Sequence, residues 1–136
     1  MPLEALNLLG TGVDDLTPLR GMPLEYLWLN QTPVSDISAL SDCPLVSLTL
    51  HKARVKDLRP LANSRLERLH IGETPVTDLT PLKGLTLTRL IFTPGRIVKG
   101  IEIVRNMKSI REIGPSFENR MAPSRFWTLY SQEIFK

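Results

Sequence analysis

Leucine returns along this chain at a fixed interval. Leu3, Leu24, Leu45, Leu66 and Leu87 stand 21 residues apart, and a constant period of this length marks a stacked-coil architecture. Each opens the same apolar frame: Leu3-x-x-Leu6-x-Leu8, Leu24-x-x-Leu27-x-Leu29, Leu45-x-x-Leu48-x-Leu50, Leu66-x-x-Leu69-x-Ile71 and Leu87-x-x-Leu90-x-Phe92. Val13, Val34, Val55 and Val76 follow at constant spacing, with Ile97 in the fifth unit. Asp-Leu-x-Pro-Leu then closes three units from Asp15, Asp57 and Asp78, and the second reads Asp36-Ile37 with Ala39-Leu40.

Alternate side chains of a strand share a face, so the fourth and sixth positions of each unit turn inward. Neighbouring parallel strands need a crossover, whose buried side is the Val, Leu and Leu of the second half. About five residues remain for the turn after each Asp, which suits a 3₁₀ segment better than an α-helix. The Asp carboxylate stands where it can accept orphan backbone N–H groups. A single coil cannot bury its own apolar side. Stacking does so, at roughly 1.5–3 kcal/mol for each inward Leu or Val. The pattern predicts an α/β solenoid with a parallel sheet on one face and short 3₁₀ turns on the other.

The fifth unit leaves the frame after Phe92. Thr93-Pro94-Gly95 is a turn signal, and Ile97, Ile101, Val104 and Met107 fall at helical spacing, predicting an α-helix over 97–107. Ile110-x-x-Ile113 restarts the strand pattern and Gly114-Pro115 stops it. Pro123 suits the first turn of a closing helix, whose apolar side is Phe126, Trp127, Leu129 and Tyr130. Residues 1–97 are therefore read as about five coils and 98–136 as a C-terminal cap. At the other end, Met1-Pro2-Leu3-Glu4 repeats Met22-Pro23-Leu24-Glu25. The first coil is expected to have an uncovered side, to be met by a longer array or by another chain, self-association included.

Charge adds an asymmetry. The net charge is +3, but residues 1–44 hold one basic and six acidic residues, a balance of −5, and the remainder sixteen and eight, a balance of +8. Such a bipolar chain can steer an encounter or favour head-to-tail association. One cysteine, Cys43, forms no internal disulfide, and a reducing, cytoplasmic compartment is expected. Next to Pro44 it reads as a small buried hydrophobe rather than a nucleophile. No apolar run approaches the roughly 20 residues of a membrane span.

The frame LxxLxLxxTxVxDLxPL resembles the bacterial leucine-rich repeat, and within it the short internalin-like type. Thr11, Thr32, Thr74 and Ala53 stand where that repeat carries asparagine, so hydroxyl-to-backbone bonds are expected in place of an Asn ladder. Gly21-Met22-Pro23-Leu24 and Thr-Pro-Val at 32–34 and 74–76 are similar to repeats of planctomycete-type bacteria, and the segments 99–110 and 126–127 to the closing segment of those arrays. The resemblance implies a right-handed coil with a concave sheet, a protein-binding role, and attachment to kinase or other signalling domains.

Outward strand positions line the concave sheet, where solenoids bind. They include Tyr26, Trp28 and Asn30, then Thr49 and His51, then Arg68 and His70, then Arg89. Aromatics on a rigid sheet are enriched at hot spots, and Tyr26 and Trp28 match the concave aromatics by which internalin-like proteins grip ligands. Arg68 and Arg89 are adjacent like charges that repel unless an acidic group arrives. These eight residues form the candidate site for an unidentified protein partner. His51 and His70 fall diagonally, at ~7–8 Å, and no third ligand joins them as zinc would require. Each Asp of the turn row has a capping role, which argues against a cation site there. The basic group Lys52, Arg54, Lys56 and Arg59 lacks interleaved aromatics, which argues against nucleic acid. No phosphate loop, nucleophile elbow or metal motif is present, so neither enzyme activity nor a cofactor is expected. The rival readings are a structural or regulatory tail of a larger protein and a basic nucleic-acid surface.

Overall fold

The computed structural model describes residues 3–135; the Met1-Pro2 part of the repeated opening lies outside them. Six three-residue strands run in chain order through one parallel sheet: β1 Ala5–Asn7, β2 Tyr26–Trp28, β3 Ser47–Thr49, β4 Arg68–His70, β5 Arg89–Ile91 and β6 Glu112–Gly114. Pairing follows the repeat without slippage, Leu6 to Leu27, Leu48, Leu69, Leu90 and Ile113. A slip of one residue would turn every inward leucine to solvent, so the apolar pattern locks the register. From β2 onward the leucine rows are fully buried and continuous with Val34, Val55, Val76 and the 3₁₀ leucines Leu61 and Leu82.

The return turns are 3₁₀, at Thr17–Leu19, Ser38–Asp42, Arg59–Leu61 and Thr80–Leu82. Each is started by its aspartate. The Oδ1 of Asp15, Asp36, Asp57 and Asp78 accepts the backbone N–H two residues on, at 2.8–2.9 Å. Side-chain hydrogen bonds from Thr17, Arg59 and Thr80, and then these backbone ones, hold the Asp15, Asp57 and Asp78 carboxyls below the usual carboxylate range, and for Asp36 the backbone bond from Ser38 leads. After each strand a threonine hydroxyl donates to the strand's last inward carbonyl, Thr11 to Leu8, Thr32 to Leu29 and Thr74 to Ile71, at 2.7–2.8 Å. Ala53 has no hydroxyl, and its backbone N–H reaches Leu50 O alone.

The chain leaves each strand through a left-handed residue: Gly10 (φ 70°), Gln31 (58°), Lys52 (64°) and Glu73 (56°). The fifth unit places Pro94 at this position, and a ring that holds φ near −65° cannot enter that region. The coil is rerouted there through a 3₁₀ turn, Pro94–Arg96. The helix expected over 97–107 is correspondingly short, α1 Ile101–Arg105. Residues 97–99 stay extended because Val98 and Lys99 donate to Thr77 O, and Leu79 donates to Lys99 O, at 2.8–3.1 Å. Gly100 then turns the chain at φ 91°, where a Cβ would lie 2.7 Å from the Thr80 nitrogen.

The closing helix, α2 Pro123–Ser131, starts on its proline as expected. Its Phe126 is fully buried against Phe92, 5.7 Å between ring centroids, and is surrounded by Trp127, Tyr130 and Phe135. Phe92 stands in the row that leucine or isoleucine fills elsewhere, and it offers the cap an aromatic face. The molecule is thus a leucine-rich-repeat-like α/β solenoid closed by an α-helical cap.

Candidate functional site

The concave face carries two outward rows. One runs Ala5, Tyr26, Ser47, Arg68, Arg89, Glu112, and the other Asn7, Trp28, Thr49, His70, Ile91, Gly114. A groove of ≈ 640 Å³ opens over them, and all eight of the predicted contact residues line it. Its far wall is Ser116, Phe117 and Glu118, from the segment between β6 and α2. The repeat does not predict this wall, since these residues follow the last strand. Gly114 makes it possible. A Cβ there would sit 2.5 Å from Asn119 O and 2.8 Å from Arg120 Cα, so only glycine lets the segment fold down onto the sheet.

Tyr26 and Trp28 are half-buried rather than free in solvent. Their rings stack at 6.5 Å with an interplanar angle of 18°, and together form an aromatic shelf on β2. Arg68 leans back across Ser47 until its guanidinium lies 5.9 Å from the Tyr26 ring centroid. Arg89 leans the other way. Its Nε and Nη2 donate to Glu112 Oε1 at 3.0 and 2.9 Å, and its guanidinium lies 5.4 Å from the Phe117 ring. The acidic group expected to relieve these two arginines from outside is therefore supplied, for Arg89, by the next strand. Extending the outward row by one rung, through Ile110-x-x-Ile113, would have found Glu112 in the sequence. Arg120 holds the other oxygen at 2.8 Å, and the two arginines keep the Glu112 carboxyl below its usual range.

The histidines stand diagonally on neighbouring coils as expected, and across that ~7–8 Å spacing their rings lean together to centroids 4.9 Å apart. The reason is Gly72, the position beside His51 on the next coil. With no side chain there, the His70 ring lies over it, its Cε1 only 2.8 Å from where a Cβ would be. His70 Nδ1 accepts the Gly72 N–H at 3.1 Å. Burial, and then the nearby His51, lower its pKa to about 4, so it is neutral at ordinary pH. His51 Nε2 contacts Glu73 Oε2 at 2.8 Å. Among the described residues no group of three or more His, Cys, Asp or Glu side chains is placed to hold a metal.

Of the remaining candidates, Thr49 lies between Trp28 and His70 in the register. Asn30 buries its Oδ1 without a hydrogen-bond partner among the described residues. Arg68 makes no ion pair among them either, which leaves it as the groove's unpaired guanidinium. The convex basic group differs, since Arg59 is tied to Asp57 by contacts of 2.7–3.0 Å. Cys43 is buried, its Sγ 3.4 Å from Leu19 O, and burial pushes its thiol pKa up. It is a packing residue.

No protein-family model matches the sequence, and no curated protein is similar to it. Among solved structures the chain is similar to an internalin C2 from Listeria monocytogenes, with a TM-score of 0.75 and 26% identity over 82% of this chain. It spans 51% of that protein, about half its length. No helix of the described residues is long and apolar enough to cross a membrane. The groove presents aromatic and charged side chains on the strands. Pattern, geometry and comparison together give an internalin-like leucine-rich-repeat fold.

Proposed function

We propose that the chain is a protein–protein interaction module that holds its partner on the concave sheet, within a bacterial signalling or scaffolding system. The carrying observation is the stacked Tyr26–Trp28 shelf with the unpaired Arg68 beside it in one groove. Rigid aromatics next to arginine are the residue types that dominate binding energy. Thr49, His51, His70, Asn30 and Arg89 complete the contact surface. An acidic partner is favoured by the balance of +8 beyond residue 44, which steers approach toward the Arg68 end. Attachment to a kinase or other signalling domain rests on the repeat resemblance alone. A cytoplasmic setting accords with the single buried thiol. The convex basic turn is a poorer candidate for nucleic acid because Asp57 already neutralises Arg59.

The test is affinity capture from a bacterial lysate with the wild-type chain, followed by titration of the captured protein against point variants. Trp28→Ala weakens binding by about 2 kcal/mol or more, the hot-spot scale. Arg68→Ala slows association, with an effect that shrinks as salt is added. Lys56→Ala on the convex face leaves affinity unchanged. Loss at Lys56 with none at Trp28 or Arg68 moves the site to the convex turn.

A further inference from the structure

The concave groove holds several charged groups, but their partners divide them sharply. Arg89 is bound to Glu112, His51 to Glu73, and His70 accepts a backbone N–H and is neutral. Arg68 makes no ion pair among the described residues. Its guanidinium stands over Tyr26, and the Trp28 ring lies one strand repeat further along, 6.5 Å from the Tyr26 ring. An extended chain advances about 3.3 Å per residue and places side chains i and i+2 on one face, about 6.6 Å apart. The step from the Tyr26 ring to the Trp28 ring matches that advance, and the Arg68 guanidinium marks the Tyr26 end of it.

From this coincidence we infer that the groove reads an extended peptide segment bearing Asp or Glu, then any residue, then a large apolar side chain. The inference rests on the concave-sheet reading above and names the chemistry of its partner. The carboxylate takes the guanidinium fork of Arg68 as a paired, charge-assisted contact. The apolar side chain two residues away covers the Trp28 ring, and the residue between them faces away from the sheet. A carboxylate suits the site better than a phosphate. A phosphate dianion calls for more than one free cation, whereas here one guanidinium is free and Glu118 adds negative charge to the wall.

The experiment uses the full chain and fluorescein-labelled synthetic peptides in a Gly/Ser background, followed by anisotropy. The probes carry Glu-Ser-Phe, Gln-Ser-Phe, phosphoserine-Ser-Phe, and Glu and Phe separated by three serines. The Glu-Ser-Phe peptide binds roughly tenfold or more tightly than the Gln-Ser-Phe peptide, as expected for a charged hydrogen bond. That gap closes in Arg68→Gln, persists in part in Arg68→Lys, and narrows with added salt. The widely spaced peptide loses the advantage. Thermal melts of each variant establish that it is folded. Equal binding of the Glu and Gln peptides, with both weakened by Trp28→Ala, overturns the carboxylate code and leaves the concave module standing. Tighter binding of the phosphoserine peptide overturns the choice of anion. Binding indifferent to both Arg68→Gln and Trp28→Ala, or no binding by any probe, overturns the inference. Whether the module reading falls with it is decided separately, by the captured partner's response to Trp28→Ala.

Discussion

At the β6 end of the sheet, Ile113 and Met121 exchange two backbone hydrogen bonds of 2.9 Å, and Phe126 lies fully buried beneath Phe92. At the β1 end, Leu6 and Leu8 are only half-buried, while Leu3 and Leu9 are 43% and 54% exposed. Coils 1 and 5 share the strand half of the frame, and they differ in what covers their outer side. In a stacked coil each unit's stability is its own term plus one interface on each side. Coil 1 has one interface among the described residues. The fifth coil has two, the second supplied by an element of different shape.

The largest test of this contrast is removal of the ring that closes the β6 end. Phe126→Ala leaves a cavity under Phe92 and destabilises the chain by about 3–5 kcal/mol, read from denaturant midpoints. A loss below about 1 kcal/mol would mean that α2 contributes little to closure. Next comes a matched pair in one inward row. Leu48→Ala in the middle of the array costs about 2–5 kcal/mol. Leu6→Ala costs clearly less, because part of its surface is already in water; equal losses would erase the contrast. Amide exchange sharpens it further without mutation. The amides of Leu6 and Leu8 exchange faster than those of Leu48 and Leu50 in a monomer verified by sedimentation. Equal protection there would show that coil 1 needs no second neighbour.

A fourth prediction concerns acid, which acts on the aspartate row of coils 1–4 and, at the other end, on Glu112 of β6. The folded-state pKa values of Asp15, Asp36, Asp57 and Asp78 are depressed by hydrogen bonds to the turn. Their contribution is therefore complete above the unfolded value of about 3.9 and is lost as pH falls through the lower folded values. Midpoints hold from neutral pH to about 5 and decline below about 4. An Asp57→Asn variant flattens part of that decline, and a flat profile in the wild type would remove the row's role.

The smallest effect lies at the left-handed exit residues. Gly10→Ala in the first coil costs about 1–2 kcal/mol, whereas Lys52→Gly at φ 64° gains up to about 1 kcal/mol, less the entropy of the added glycine.

Much of the fold was readable because the repeat writes the same instruction several times. Leu27, Leu48 and Leu69 could be assigned inward, in register, to a parallel sheet before any coordinate, since only that arrangement buries every copy. The aspartates and threonines were equally legible, for their partners lie two or three residues away in the chain. The outward row was legible as a row, and the structure gathers its eight predicted residues along one groove.

What escaped are the relations between residues that share no local pattern. The sequence by itself determined the coil, its period, its inward rows, its turns and the presence of a closing helix, all set by hydrophobic spacing and short-range hydrogen bonds. Tertiary structure decided which charges remain available. Glu112 meets Arg89 only because β6 stacks beside β5, and Phe117 and Glu118 wall the groove only because Gly114 lets their segment descend. His70 approaches His51 only because Gly72 leaves a space. Arg68 was one of two equivalent arginines in the sequence, and it became the unpaired one through contacts made across strands. Pairing of charges depends on distance in space, and side chains twenty or more residues apart acquire that distance only when the coils stack.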